Sequence, residues 1–213
     1  MYYDSDELNN YEIGYKYANS DATLRFNAAL YLMDWKDMQT AVYDRDLATI
    51  QFNTNIGDAE IKGLEFDLSY LAQNGFNFIL GGSIIDPKLK DDFVLSGVVQ
   101  ATSGTQLANV AKRKLSLSIN REFTAFNGLD GYFDLNVSRT GERKSSVTNP
   151  VDQPRYTLAN LSTSISSDNW EGVLYIDNIT DQQAVIWEYQ GYRPETKFTN
   201  RPRETGISLK YKL

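Results

Sequence analysis

Roughly nine stretches of alternating apolar and polar residues, about ten or more residues each, predict an all-β chain: an antiparallel meander of about nine strands forming part of a transmembrane β-barrel wall. Three observations carry this expectation. The dyad alternation runs through almost every stretch. The connections alternate strictly between short and long. No segment has the continuous apolar run that a membrane-spanning helix needs, and the mean hydropathy is −0.45. Short connections fall at Ala18 to Asp21, Leu71 to Gly75, Thr124 to Gly128 and Ser166 to Asn169. Long ones fall near Gln39 to Gly57, Asp86 to Val110, Thr140 to Gln153 and Thr180 to Arg203. Hairpins that are tight at one rim and extended at the other give a sheet two chemically different ends, as when one rim faces a periplasm and the other the outside.

The individual strands follow from the period of two, because successive side chains project to opposite faces. Leu24, Phe26, Ala28, Leu30 and Leu32 share one face, against Thr23, Arg25, Asn27 and Ala29. Leu64, Phe66, Leu68 and Tyr70 oppose Gly63, Glu65, Asp67 and Ser69. Leu115, Leu117, Ile119 and Phe123 oppose Lys114, Ser116, Ser118, Asn120 and Glu122; Phe133, Leu135 and Val137 oppose Tyr132, Asp134, Asn136 and Ser138. The closing stretch sets Ile207, Leu209, Tyr211 and Leu213 against Gly206, Ser208, Lys210 and Lys212. The apolar set should face lipid, and the polar set a lumen.

Tyr11, Tyr15, Tyr17, Trp35, Tyr70 and Trp170 stand at strand ends, where aromatic girdles meet lipid headgroups. One stretch breaks parity: between Tyr156 and Ile165 the apolar positions pass from even (Tyr156, Leu158) to odd (Leu161, Ile165). Either a β-bulge or an extension above the membrane would produce this.

Composition excludes several function classes. The 213 residues include no Cys and no His, which removes disulfides, thiolate metal sites, the usual general base and the usual transition-metal ligand. No catalytic residue, cofactor or metal site is expected, and paired carboxylates such as Asp91 with Asp92 read as solvated loop. A net charge of −7 argues against nucleic acid or anionic lipid as the main partner, since both recruit basic patches. Two rivals remain. A soluble β-sandwich adhesion or carbohydrate-binding module would need two face-packed sheets. A barrel enzyme would need a clustered nucleophile and base, and is hard to build without His.

Three motifs resemble the barrel of a TonB-dependent outer-membrane receptor. Tyr11-Glu12-Ile13-Gly14-Tyr15-Lys16 is similar to a family down-strand, followed by an up-strand ending Met33-Asp34-Trp35-Lys36-Asp37-Met38-Gln39. Asn55-Ile56-Gly57-Asp58-Ala59-Glu60-Ile61-Lys62-Gly63-Leu64-Glu65 matches the pattern N-x-G-x-A-x-x-x-G-x-E, the most specific of the three. Tyr175-Ile176-Asp177-Asn178-Ile179-Thr180-Asp181 resembles the segment leading into the last extracellular loop. Beside the resemblance, mid-strand Gly14 and Gly63 mark a bend or close packing, and Asn178 and Asp181 should end a strand by bonding to nearby backbone amides.

The resemblance implies that residues 1–213 are the C-terminal part of a receptor barrel in the bacterial outer membrane, a fragment of a longer protein without the plug domain and first strands. It implies uptake of a scarce ligand, most often a ferric siderophore. Energy would come from the TonB complex through the missing plug, and outer-membrane lipid would surround the wall. The last strand, with Gly206, Leu209, Tyr211 and Leu213, resembles the signal read by the barrel-assembly machinery, although family members usually end in an aromatic residue and this chain ends in Leu213. Ligand contact is expected from the long loops, where Arg143 and Lys144 precede Trp187, Tyr189, Tyr192 and Arg193. Aromatic faces beside cations suit an anionic, partly aromatic ligand.

Overall fold

The computed structural model describes residues 3–43, 51–188 and 196–212. Nine long strands form one sheet: β1 (Glu7–Ala18), β2 (Leu24–Lys36), β3 (Ala59–Leu71), β4 (Phe76–Leu89), β5 (Arg113–Thr124), β6 (Asp130–Thr140), β7 (Tyr156–Ser166), β8 (Trp170–Asp177) and β9 (Glu204–Tyr211). Each pairs antiparallel with its neighbour in sequence, so the sheet is the expected meander and not two packed layers. Leu115, which a sandwich would bury, is 45% exposed.

The rhythm of connections also holds. Residues 19–23, 72–75, 125–129 and 167–169 make tight turns at one rim. They are closed by left-handed backbone at Ala22, Gly75, Asn127 and Gly128, and by Asn19 accepting the amide of Leu24 at 2.8 Å. The long connections carry structure that the sequence pattern did not reveal. Each contains a two-stranded hairpin: Gln39–Tyr43 with Gln51–Asn55, Phe93–Leu95 with Val98–Ala101, Arg143–Lys144 with Asp152–Gln153, and Val185–Glu188 with Lys197–Thr199. β4 also continues past Asp86 as far as Leu89. Pro87 is tolerated there because β5 pairs only up to Ile84; beyond it the second long loop makes a single bridge, Lys88↔Gln106, in which Leu107 donates to the Pro87 carbonyl at 3.1 Å and no amide is asked of Pro87.

Register places the apolar residues in rows across the sheet. One row reads Ile13, Leu30, Leu64 and Ile84; others read Leu80, Leu117, Val137 and Ala159, then Phe78, Ile119, Leu135 and Leu161. The opposite face is polar. A single hollow on that side takes Glu12 and Lys16 from β1, Asn27 from β2, Asp67 from β3, Lys114 from β5 and Ser138 from β6. A hollow shared by strands this far apart requires the sheet to curl, with the polar face concave. The apolar face is therefore the convex, outer one.

The parity break in β7 is not a bulge. Pairing with β6 runs from Thr140↔Tyr156 to Asp130↔Ser166 without a shift. Tyr156 and Leu158 lie on the inner face at the loop end of the strand, as expected of an extension toward the loops. Aromatic residues gather on the outer face near the short-turn rim, where Tyr70 stacks on Phe78, Phe76 meets Phe133 edge-on, and Trp170 pairs with Tyr211. Trp35 is a correction to the expected girdle. It has inner-face parity, its indole N–H donates to Asp6 at 2.8 Å, and its ring packs on the loop core.

Mid-strand glycines have a concrete use. A Cβ at Gly63 would stand 2.2 Å from the Tyr31 ring opposite it, and one at Gly206 would stand 2.3 Å from the Tyr175 hydroxyl. Gly82 lies in the same way beneath Phe66, and Gly131 beneath Phe123. Each ring lies across the neighbouring strand in the space that the glycine leaves.

Candidate functional site: the long-loop assembly

All four long loops rise from the same rim, and they pack together. The buried apolar side chains Val42, Ile56, Ala59, Leu89, Phe93, Ala101, Leu107 and Val147 form one cluster at this end. The family-like motif around Asn55 explains how the first loop joins it. Asn55 donates from its amide to the carbonyls of Asp4 and Asp37, at 3.0 and 2.6 Å, and accepts the amide of Asp4 at 2.8 Å. Gly57 then turns the chain with φ near +94° so that Ile56 and Ala59 point into the cluster.

The fourth loop is tied down by Asn178, the residue expected to end its strand. Asn178 adopts left-handed backbone, accepts the amide of Gln182 at 3.1 Å, and donates to the carbonyls of Gln182 and Arg201, both at 3.1 Å. Asp181, expected to bond to a nearby amide, accepts instead the amide of Arg203, at the far end of the loop, at 2.9 Å. Two side chains thus join the outgoing and returning ends of the loop.

The residues singled out for ligand contact have different fates. Arg143 is only 8% exposed. Its guanidinium donates to the carbonyls of Val185 and Ile186 at 2.7 and 3.0 Å and lies over the Tyr156 ring, so it ties the third loop to the fourth. Lys144 pairs with Asp152 across its own hairpin. Trp187 stays 39% exposed with its ring 5.3 Å from that of Phe198. Tyr189, Tyr192, Arg193 and Leu213 lie outside the described residues. Leu209 and Tyr211 are 75% and 65% exposed on the outer face, and Gly206 makes room for Tyr175.

A hollow of about 200 Å³ lies where the four loops meet. Thr40 and Val42 come from the first loop, Asn109 from the second, Ser146 and Thr148 from the third, and Trp187 and Glu188 from the fourth. Hydroxyls, one amide, one carboxylate and an indole provide neutral hydrogen-bonding groups more than charge. Sequence reasoning missed Thr40, Asn109, Ser146, Thr148 and Glu188, because isolated small polar residues in long loops have no periodicity to mark them. Gln153 is 1% exposed, and among the described residues neither of its amide atoms has a hydrogen-bond partner. Among the described residues no group of three acidic, His or Cys side chains could hold a metal ion.

No helix among the described residues is long and apolar enough to cross a membrane, so any crossing is by the strands. A curled meander with an apolar outer face, a polar inner face and a loop assembly at one rim defines a segment of a transmembrane β-barrel wall. The family described as TonB dependent receptor-like, beta-barrel matches residues 4–179, and the chain belongs to it. Among solved structures it resembles the ferric yersiniabactin uptake receptor of Yersinia pestis, with a TM-score of 0.77 at 20% identity, covering 96% of this chain and 29% of that one. The siderophore receptor PiuA of Acinetobacter baumannii gives a TM-score of 0.71 at 18% identity, with 95% and 28% covered. The closed form of the ferric-catecholate import receptor Fiu of E. coli K12 gives 0.68 at 19%, with 97% and 27% covered. The chain thus spans less than a third of these receptors. No curated protein matches it significantly. The family and these neighbours are transport receptors and not enzymes.

Proposed function

We propose that the protein to which residues 1–213 contribute the C-terminal part of the barrel is a receptor of the bacterial outer membrane that imports a scarce ligand, with a ferric siderophore as the preferred cargo. The supporting observation is the convergence of all four long loops on one hollow lined by hydrogen-bonding groups and an exposed indole. At about 200 Å³ the hollow is smaller than the ~300–1,000 Å³ of a complete small-molecule pocket, so it makes one side of a site whose remaining walls come from elsewhere in the protein. Trp187, Tyr189, Tyr192, Arg193 and Lys144 supply ligand contacts, and Arg143 holds the third and fourth loops in place for them. The TonB complex drives uptake through a plug domain beyond this chain. The barrel-assembly machinery reads the C-terminal segment that carries Gly206, Leu209, Tyr211 and Leu213. Nothing in the uptake step makes or breaks a covalent bond.

The test is growth on chelated iron in a strain without siderophore receptors of its own, comparing residues 1–213 alone with the complete receptor. Rescue by the complete receptor and not by residues 1–213 is expected. Rescue by residues 1–213 alone would overturn the proposal, and failure of both would remove ferric siderophores as the cargo.

A further inference from the structure

Above the apolar rows, the outer face becomes charged on the side toward the long loops, and this charged rim differs from one sector to the next. Across β2 to β4 most of its cations are matched, Lys36 at the end of β2 being without an ion pair among the described residues. Lys62 pairs with Glu60 at 2.9 Å, Lys88 with Asp86 at 3.3 Å, Lys112 with the same carboxylate at 3.3 Å, and Lys90 with Asp34 at 3.0 Å. The Asp34 carboxylate accepts a hydrogen bond from Lys90 and holds that ammonium above its ordinary pKa.

Across β5 to β7 the rim carries Arg113, Arg139 and Arg155 instead. Register places Arg113 two residues above Leu115 on the outer face and pairs Arg139 with Leu115 and Thr157; Arg155 immediately precedes β7. Among the described residues none of the three guanidinium groups has a hydrogen bond or ion pair. All three line one hollow of about 790 Å³, together with Phe66, Ile84 and Leu115. Glu142 is the one carboxylate in its lining; Lys112, already paired with Asp86, and Lys114, which has inner-face parity, are its other two cations. In a chain of net charge −7, three free guanidiniums in one hollow are a local excess of positive charge against the overall balance.

We propose that Arg113, Arg139 and Arg155 bind the phosphate groups of an anionic lipid, whose acyl chains lie down the apolar rows beneath them. The proposal rests on the membrane placement given above. Two features favour a lipid as the occupant. Guanidinium forks match phosphate oxygens in paired hydrogen bonds. The floor of the hollow, Phe66, Ile84 and Leu115, continues into Leu80, Leu117 and Val137, an unbroken apolar track of the kind that acyl chains cover. A phosphate without chains would leave that track unfilled.

The complete receptor, purified from outer membranes and exchanged into neutral detergent, can be titrated with bis-phosphorylated lipid A and with the same lipid dephosphorylated, reading retained lipid by native mass spectrometry. The variants are the triple R113Q/R139Q/R155Q, the single Arg139→Gln as a gentler change, and K62Q/K88Q as a control elsewhere on the same charged rim. The phosphorylated lipid is expected to bind wild type and control alike. The triple variant should lose at least about tenfold in affinity, with a smaller loss for the single one. Equal binding by wild type and triple variant would overturn the site, as would indifference to dephosphorylation. Displacement of the lipid by inorganic phosphate would show a phosphate site and overturn the lipid. Should the triple variant fail to fold, by resistance of the barrel to unfolding in unheated detergent gels, the single variant decides. A wild type that folds in bilayers but binds neither lipid defeats this site alone, whereas one that cannot fold in any bilayer defeats the membrane placement.

Discussion

The wall and the loop assembly are built by opposite rules. In the wall, large apolar side chains stay open: Ile207 is 79% exposed, Leu209 75% and Ile13 72%. In the loop assembly, Ile56 and Leu89 are 1% exposed and Val42 is 3%. The loops bury a small core as any water-soluble domain does, gaining from removal of apolar area from water. The wall has no such core. Its order comes from backbone ladders, and its outer side chains depend on a surrounding apolar solvent. One chain is thus matched to two solvents, and the boundary between them falls where the outer face turns from Leu30, Leu64 and Leu115 to Asp34, Lys62 and Arg113.

The largest effect that would test this contrast is expected from Leu89→Ala. Truncating a side chain at 1% exposure in the loop core should cost about 2–5 kcal/mol of local stability. It should speed hydrogen exchange in the loops while β-sheet content and membrane insertion stay unchanged. Loss of insertion would show that the two regions are not independent. Next comes Leu117→Arg. Flanked by Leu80 and Val137 on the outer face, it should lose roughly 2–4 kcal/mol in a bilayer-folding titration, against a mild effect for Ser118→Arg on the inner face. Equal tolerance of the two would reverse the facing assignment. The smallest of the three is Gly63→Ala, whose new methyl group must displace the Tyr31 ring at a cost of about 1–3 kcal/mol. Most of that loss should return in the double variant with Tyr31→Ala, measured in the same titration. No recovery would assign the glycine's role to backbone geometry instead.

The wall was legible in the sequence because its signals are local. Alternation at a period of two assigns every side chain of β5 and β6 to a face, and Asn19, Gly75 and Asn127 mark tight turns by their own chemistry. Even the break in β7 was readable as one of two alternatives, and the unshifted pairing with β6 selected the extension. The loops were not legible, because what organises them is contact between segments far apart in sequence. Arg143 reads as a cation ready for a ligand until Val185 and Ile186 are seen to take its donors. Trp35 reads as a girdle residue because a strand end looks the same from both faces until Asp6 and the loop core claim its ring. The hollow at the meeting of the four loops, with Thr40, Asn109 and Ser146, exists only once those contacts have formed.

The rings laid over Gly63, Gly82, Gly131 and Gly206 also bear on how the sheet avoids misalignment. A strand sliding by one residue turns its apolar set inward and is rejected at once. A slide of two residues keeps inside and outside correct, and Leu would still meet Leu or Ile over much of the wall. The glycine pairs break that degeneracy. After such a slide Tyr31 would oppose Ile61 or Glu65, Phe66 would oppose Leu80 or Ile84, and Tyr175 would oppose Glu204 or Ser208, none of which leaves room for a ring lying flat. Each pair works as a notch that admits one alignment of its two strands. Four of the eight seams in this wall carry one, so a misaligned neighbour can be corrected by its own seam without reference to the rest of the sheet.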